Sequence, residues 1–332
     1  MEENTRMSRL GKLLKNKMTN IAIVLFVMIV IASVFSPYFL DTYNLQSLVR
    51  DTAFMGIIAL GQCCLLLIGE IDLSLGKIAS LCGVVGGMLM VTAGINSHLA
   101  FAICIVLGGF LGCINGFIIT GLNLNSLVVT IGMTGVYGGV NLVLTKGRAI
   151  TSIPEDIYFL GQGTLFSVPI PFVAMLIIFV IVLLITRYTQ FGRFMYAIGD
   201  SKEAAQILGI KVKRTKTIVY TLVGAFSAIA GMLMVARLGT AQPSIGENWP
   251  LNSIASSVMG GFALTGGIGN PFGALLGTGI IAVIQNMIVL FRVSPYWQTV
   301  VSGAVVVLAI SFESISNMIA AKKRIKARAN TA

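Results

Sequence analysis

Apolar positions in this chain fall into long unbroken blocks, separated by short polar interruptions. The blocks lie at 19–39, 52–68, 76–92, 98–120, 126–144, 168–186, 217–236, 253–264, 271–291 and 296–311. All but the short eighth are long enough to carry a helix across ~30 Å of hydrocarbon, or close to it. The runs are continuous and lack the period-two alternation of a lipid-facing strand, which excludes a closed barrel. The pattern therefore predicts an all-α, polytopic transmembrane helical bundle of about ten spans. A basic tail (1–18) precedes a single membrane domain (19–316), and a second basic tail (317–332) follows it.

The interruptions hold the charge. Arg6, Arg9, Lys12, Lys15 and Lys17 precede the first block, and Lys322, Lys323, Arg324, Lys326 and Arg328 follow the last. A third cluster, Arg187, Arg193, Lys202, Lys211, Lys213, Arg214 and Lys216, fills a polar island at 187–216. With ten spans all three clusters fall on one side, and the positive-inside rule makes that side the cytoplasm, with both termini there. The first block is too long for a typical signal-peptide core and lacks a clear cleavage site, so it reads as an uncleaved helix.

Composition agrees: 56% of the 332 residues are hydrophobic and 11% charged, against about 25% charged in an average globular domain. The net charge of +11 follows from topology. A nucleic-acid surface is the poorer explanation, because no aromatic stacking platforms interleave the basic clusters. Cys63, Cys64, Cys82, Cys104 and Cys113 all lie within apolar blocks without a C-x-x-C pair, and His98 has no partner spaced for a metal. No phosphate-binding G-x-x-x-x-G-K-[ST] loop and no G-x-S-x-G elbow occurs. The chain is expected to have no catalytic, cofactor or metal site, and any ATP dependence has to come from a partner.

Within the island, "YAIGDSKEAAQILGIKVKRTK" at 196–216 predicts a short helix. Asp200 is its expected N-cap, with Glu203 three residues later, and Gly209 ends it. Two turns are unstable alone in water, so the helix needs a surface to lie against. Ala204, Ile207 and Leu208 share one face, which suits a partner's cleft or the lipid headgroups.

Phe191-Gly192-Arg193, Ala197-Ile198-Gly199, Glu203-Ala204-Ala205 and Gly209-Ile210 together resemble the cytoplasmic coupling segment of permeases in the ribose, galactose and xylose class of ABC importers. "GEIDLSLG" at 69–76 is similar to the signature between spans two and three of that family. "INGFIITGLNLNSLVVTIG" at 114–132, "ARLGTAQPSIG" followed by "LNSIASSVMGG", and "LTGGIGNPFGALLGT" continue the likeness in matching order from about residue 44 to 313. The resemblance implies an inner-membrane permease subunit that moves a sugar by alternating access. It implies as partners an ATP-hydrolysing subunit that carries ATP and Mg, a second and commonly identical permease subunit, and an extracytoplasmic sugar-binding protein. It assigns coupling to Gly192, Arg193, Gly199, Asp200, Glu203, Ala204, Ala205 and Gly209, and an inner-mouth motif to Gly69, Asp72, Ser74 and Gly76.

Other features leave alternatives open. Glu70 and Asp72 sit in a turn expected to be solvated, where Asp72 caps a helix, contributes to a gate or belongs to a proton site. The last option defines the rival reading, an ion-coupled secondary transporter. Gly108, Gly112 and Gly116, and Gly273 and Gly277, recur at four-residue spacing and suit close helix packing or sliding. Asn115, Thr130, Thr134, Tyr137, Asn141, Gln285 and Asn286 are uncharged hydrogen-bonding groups within spans, fit for a neutral polyhydroxyl solute or for bonds between helices. Arg237, Gln242, Glu247 and Trp249 lie in the predicted outer loop between spans seven and eight, as contacts for a docking binding protein. Trp249 and Trp297 equally suit an interfacial belt. The shared G-x-I-x-x-x-x-G at 69–76 and 266–273 reads as duplication or as chance.

Overall fold

The computed structural model describes residues 17–294, 296–301, 303–304, 307–308 and 311. The last predicted block, 296–311, is helical at its described positions. The C-terminal basic tail, and the N-terminal one up to residue 16, lie outside the described residues.

The helices, in chain order, are α1 (Lys17–Phe35), α2 (Thr42–Leu67), α3 (Leu75–Val91), α4 (Ser97–Gly121) and α5 (Ser126–Thr145). A 3-10 turn (Glu155–Ile157) leads into α6 (Tyr158–Gln162), and a small antiparallel hairpin pairs β1 (Thr164–Leu165) with β2 (Val168–Pro169) in the register Leu165↔Val168. There follow α7 (Ile170–Tyr188), α8 (Gln190–Asp200), α9 (Lys202–Ile207), α10 (Val212–Leu238), α11 (Trp249–Met259) and α12 (Pro271–Leu290). Among the described residues seven helices, α1, α2, α4, α5, α7, α10 and α12, are long and apolar enough to cross a membrane, and α3 is a shorter apolar helix.

Local chemistry sets the ends. Asp41, Asn96, Asn125 and Asn270 each accept from backbone N–H groups in the first turn of α2, α4, α5 and α12, satisfying donors that a helix start leaves unpaired. Gly239 closes α10 in the left-handed conformation, where a side chain would be strained. α2 starts well before the apolar block, because Asp41 caps it and its polar first half is held by tertiary bonds: Arg50 donates to the Gln162 carbonyl at 3.1 Å, and Asp51 pairs with Arg237. Hydropathy alone does not register such an extension.

α2 is the axis of the bundle, with every residue from Ala53 to Leu67 buried. α10 packs along it and closes tightly on α4, where Gly108, Gly112 and Gly116 leave room. A Cβ at Gly112 would collide with the Tyr220 carbonyl, and one at Gly108 with the Gly224 carbonyl. The same device joins α12 to α11, through Gly273 against Gly260 and Gly277 against Ser256. In lipid, such small-residue seams gain the close dispersion contact that holds helices together.

Two helices begin in the middle of the bundle. Trp249, the first residue of α11, stacks on Phe54 near the midpoint of α2, with ring centroids 6.5 Å apart and planes within 4°. Gly76, in the first turn of α3, lies against the Gly246 carbonyl and 3.1 Å from Pro250 if given a Cβ. Thus the N-terminal ends of α3 and α11 meet at mid-height. From there α11 runs toward the end that carries the polar island, and α3 runs to the opposite end, where Gly87 faces Ala241. Irregular segments 68–74 and 239–248 complete the missing halves. The halves interlock: α3 packs on α10, and α11 packs on α2.

Candidate translocation path and coupling surface

The 239–248 segment opens a cavity of about 760 Å³ at the end away from the island. Its wall includes Asn44 and Asn286, which exchange side-chain hydrogen bonds at 3.1 and 2.8 Å. Gln285, Glu247 and Asp51 also border it, and its floor is made by Met55, Trp249 and Asn252, where α11 begins. Polar rim and aromatic floor suit a small hydrogen-bonding solute.

Of the seven residues expected along a substrate path, the structure brings Gln285 and Asn286 to this cavity. The others lie elsewhere. Asn115 donates to Asp72 Oδ2 at 3.1 Å and to Ser74 Oγ at 2.8 Å, and Tyr137 donates its hydroxyl to Asn115 Oδ1 at 2.9 Å. Asn141 donates to Ser80 Oγ at 3.0 Å, while Thr130 and Thr134 bond carbonyls of their own helix.

The two carboxylates of the turn at 69–76 are buried, against the solvation expected of them, although Gly69 is exposed. Asp72 is 1% exposed and accepts from both the backbone N–H and the hydroxyl of Ser74, at 2.7 and 2.6 Å, as well as from Asn115. Glu70 pairs with Lys216, a buried lysine near the start of α10. Burial is tolerable because each carboxylate has its partners, without which it would cost several kcal/mol. The segment rises between α2 and α3 into the bundle, a course that a simple loop between spans does not take. Sequence reasoning passed over Lys216 because it lies in a basic cluster whose other members are exposed or half-exposed.

The groups expected at an outer docking surface divide. Arg237 is held by Asp51, and its guanidinium carbon sits 5.4 Å from the centroid of the Phe54 ring. Gln242 donates to Thr240 Oγ1 at 3.0 Å, and Glu247 is exposed at the cavity rim. Trp249 lies inside the fold on Phe54.

At the other end the island is ordered. α8 belongs to the bundle, burying Gly192, Met195 and Ile198. Asp200 is the last residue of α8, so the predicted N-cap is corrected: Ser201 caps α9, its Oγ accepting from the Ala204 N–H at 3.2 Å. Both residues are good caps, and the choice fell to Ser201 because Asp200 remains within the amphipathic turn that buries Ile198. On α9, Ala205 is buried, while Arg193 on α8 and Asp200, Glu203, Ala204 and Gly209 are exposed. Ile207 and Leu208 stand 87% and 77% exposed beside each other, a pair of large apolar side chains at the tip of the island.

Gly199 joins this handle to the core. A Cβ there would collide with the Leu67 carbonyl and the Gly267 N–H, groups that themselves hydrogen-bond at 3.0 Å. The end of α2, the turn after α11 and the end of α8 therefore meet at one point. The two G-x-I-x-x-x-x-G segments lie at this same end, Gly69 next to Thr265 and Gly266. Equivalents in a repeat inverted across the bundle would lie at opposite ends, which is not the placement of these two segments.

Many helices long and apolar enough to cross a membrane, two helices that begin inside the bundle beside a polar cavity, and a polar island at one end are features of a membrane transport protein. The chain belongs to the family described as branched-chain amino acid transport system / permease component, whose model matches residues 44–310. It is a multi-pass membrane protein and a transport subunit. It is 39% identical over 289 residues to the ribose import permease protein RbsC of Bacillus subtilis (86% of this chain, 89% of the relative). It is 31% identical to the D-allose transport system permease protein AlsC of Escherichia coli (87% and 90%) and 31% identical to the L-arabinose ABC transporter permease protein AraH of Azospirillum brasilense (89% and 87%). No solved structure is a significant match.

Proposed function

We propose that this chain is the membrane-spanning permease of a sugar-class ABC importer in a bacterial inner membrane. The observation that carries the reading is its similarity, over most of its length, to permeases named for ribose, allose and arabinose transport. Ten spans with both termini in the cytoplasm put the island on the cytoplasmic side and the 760 Å³ cavity on the outside, in keeping with the positive-inside rule. A separate ATPase subunit, binding ATP and Mg, grips α9 through Ile207 and Leu208. Gly192, Arg193, Gly199, Asp200, Glu203, Ala204, Ala205 and Gly209 shape and brace that handle.

Closure of the ATPase moves α8, and Gly199 passes the motion to Leu67 at the end of α2 and to Gly267 after α11. Gly69, Asp72, Ser74 and Gly76 hold the inner, irregular half of the discontinuous span completed by α3 through the same movement, a rocking of interlocked halves around a central site. A binding protein docks outside near Glu247 and delivers a neutral sugar into the cavity past Gln285 and Asn286. Asn115, Thr130, Thr134, Tyr137 and Asn141 keep the helices beside the path in register. A second permease copy completes the membrane unit.

The test is uptake of D-ribose, D-allose and L-arabinose by proteoliposomes that hold the permease with its ATPase and binding protein. ATP-dependent accumulation of one of the three is expected. ATP hydrolysis stimulated by the binding protein without accumulation of any sugar would overturn the substrate class.

A further inference from the structure

The outer cavity is acidic. Asp41, Asp51 and Glu247 border it and are exposed, and no lysine, arginine or histidine among the described residues does so. This runs against a chain whose net charge is +11. Asp51 has Arg237 as its partner, and Asp41 caps α2 by accepting from the Tyr43 N–H at 2.9 Å. Glu247 has no ion pair among the described residues, so the mouth keeps a negative potential.

The floor asks for the same kind of group. Asn252 is 2% exposed, and its Oδ1 is an acceptor without a donor among the described residues. Phe54 and Trp249 also line the cavity, stacked with planes 4° apart, and Phe54 already holds the Arg237 guanidinium carbon 5.4 Å from its ring centroid. An unpaired buried acceptor calls for a donor, and an aromatic face attracts a cation. Carboxylates at the rim with aromatic rings and a bare acceptor below them together fit an ammonium or guanidinium group. Asp51 and Met55 lie one turn apart on α2, so rim and floor are separated by about 6 Å, a depth that the stem of a lysine or arginine covers.

We propose that the cavity is a socket for one basic side chain, a lysine or an arginine, of the extracytoplasmic binding protein, with Glu247 as its charge partner and Asn252 Oδ1 as the acceptor at the bottom. The proposal rests on the importer reading, which supplies a partner on that face. A cation carried by a protein suits the site better than a cationic solute. The carboxylates stand on an exposed rim, where charges steer the encounter of two proteins and fix its register, and the relatives are named for ribose, allose and arabinose, which are neutral. Tyr38 and Tyr43, 69% and 82% exposed at the same mouth, add aromatic side chains of the kind enriched in protein interfaces. The α12 side of the cavity, with Gln285, is left to the solute.

The test measures binding of the cognate binding protein, with D-ribose, D-allose or L-arabinose present, to the permease–ATPase complex in lipid nanodiscs at low and at high salt. Glu247→Lys is expected to weaken it by about tenfold or more at low salt and to remove most of its salt dependence. Glu155→Lys makes the same change of net charge at an exposed position that does not border the cavity, and should leave binding unchanged. Single Lys→Glu and Arg→Glu changes across the exposed surface of the binding protein should include one that weakens binding to the native permease and restores binding to Glu247→Lys. Asn252→Leu removes the acceptor and should weaken binding at low and high salt alike. Unchanged affinity of Glu247→Lys, or the absence of any compensating change, overturns the socket. A Glu247→Lys variant that binds normally but no longer accumulates solute overturns it in favour of a cationic solute. Failure of the native complex to bind the binding protein with any of the three sugars counts instead against the importer reading.

Discussion

Glu70 and Lys216 are each tolerable in the bundle only because the other is present. Glu70→Gln should therefore destabilise the permease by about 3 kcal/mol, by leaving a buried ammonium without its counter-charge. Adding Lys216→Met should restore most of the loss, which a thermal unfolding series on the two variants in detergent would measure. Recovery absent from the double variant would mean that the pair is not an isolated unit. Gly199→Ala is the second residue to change, because its Cβ has no space between the Leu67 carbonyl and the Gly267 N–H. Uptake driven by ATP should fall by at least about tenfold, since sub-ångström misplacement at a packed joint is not absorbed by smooth deformation. Normal transport by that variant would take Gly199 out of the transmission. Residue types told part of this from the sequence: the island's glycines and Asp200 as the expected cap announced a short helix. The cap is Ser201 instead, because the choice depends on how far α8 stays helical against the core.

Among the elements, α9 carries the contact that the proposed coupling requires. Ile207→Glu with Leu208→Glu should weaken capture of the ATPase subunit by at least about tenfold, because large apolar side chains at an interface centre dominate its energy. The variant should insert and fold as before, since neither side chain contributes to the core. Equal capture by the variant would return α9 to the role of a headgroup-level helix. The α4–α10 seam makes a different prediction: Gly112→Leu drives a side chain into the Tyr220 carbonyl and should cost about 2 kcal/mol or more through overpacking, measurable as a lower unfolding temperature. The long helices were legible in the sequence because a continuous apolar block has one solution in lipid. The half-helices were not. Segment 239–248 is rich in polar and turn-forming residues, so it read as an outer loop with Trp249 at its edge, whereas it descends to Phe54 and starts α11 there. Nothing local distinguishes a polar stretch that lies on the surface from one that enters the bundle beside a cavity.

At the scale of the molecule, the interlocking of the two halves explains how a pull at one end can reach a cavity at the other. α11 is supported by α2 and α3 by α10, so neither half moves alone, and Gly199 touches the base of both through Leu67 and Gly267. The bundle and the polar island could be read from hydropathy and charge, while the lining of the cavity could not, because Asn115, Tyr137 and Gln285 look alike as isolated polar residues in apolar runs. Only the fold separates the first two, which bond one another, from Gln285 at the cavity. The most direct test of the account is sugar uptake by proteoliposomes containing the permease, its ATPase and its binding protein, with ATP inside or outside and with or without a protonophore. The account predicts uptake that requires ATP and the ATPase and is indifferent to collapse of the proton gradient. Uptake by the permease alone that disappears with the gradient would contradict it, and would point back to the carboxylates of Glu70 and Asp72 as coupling groups.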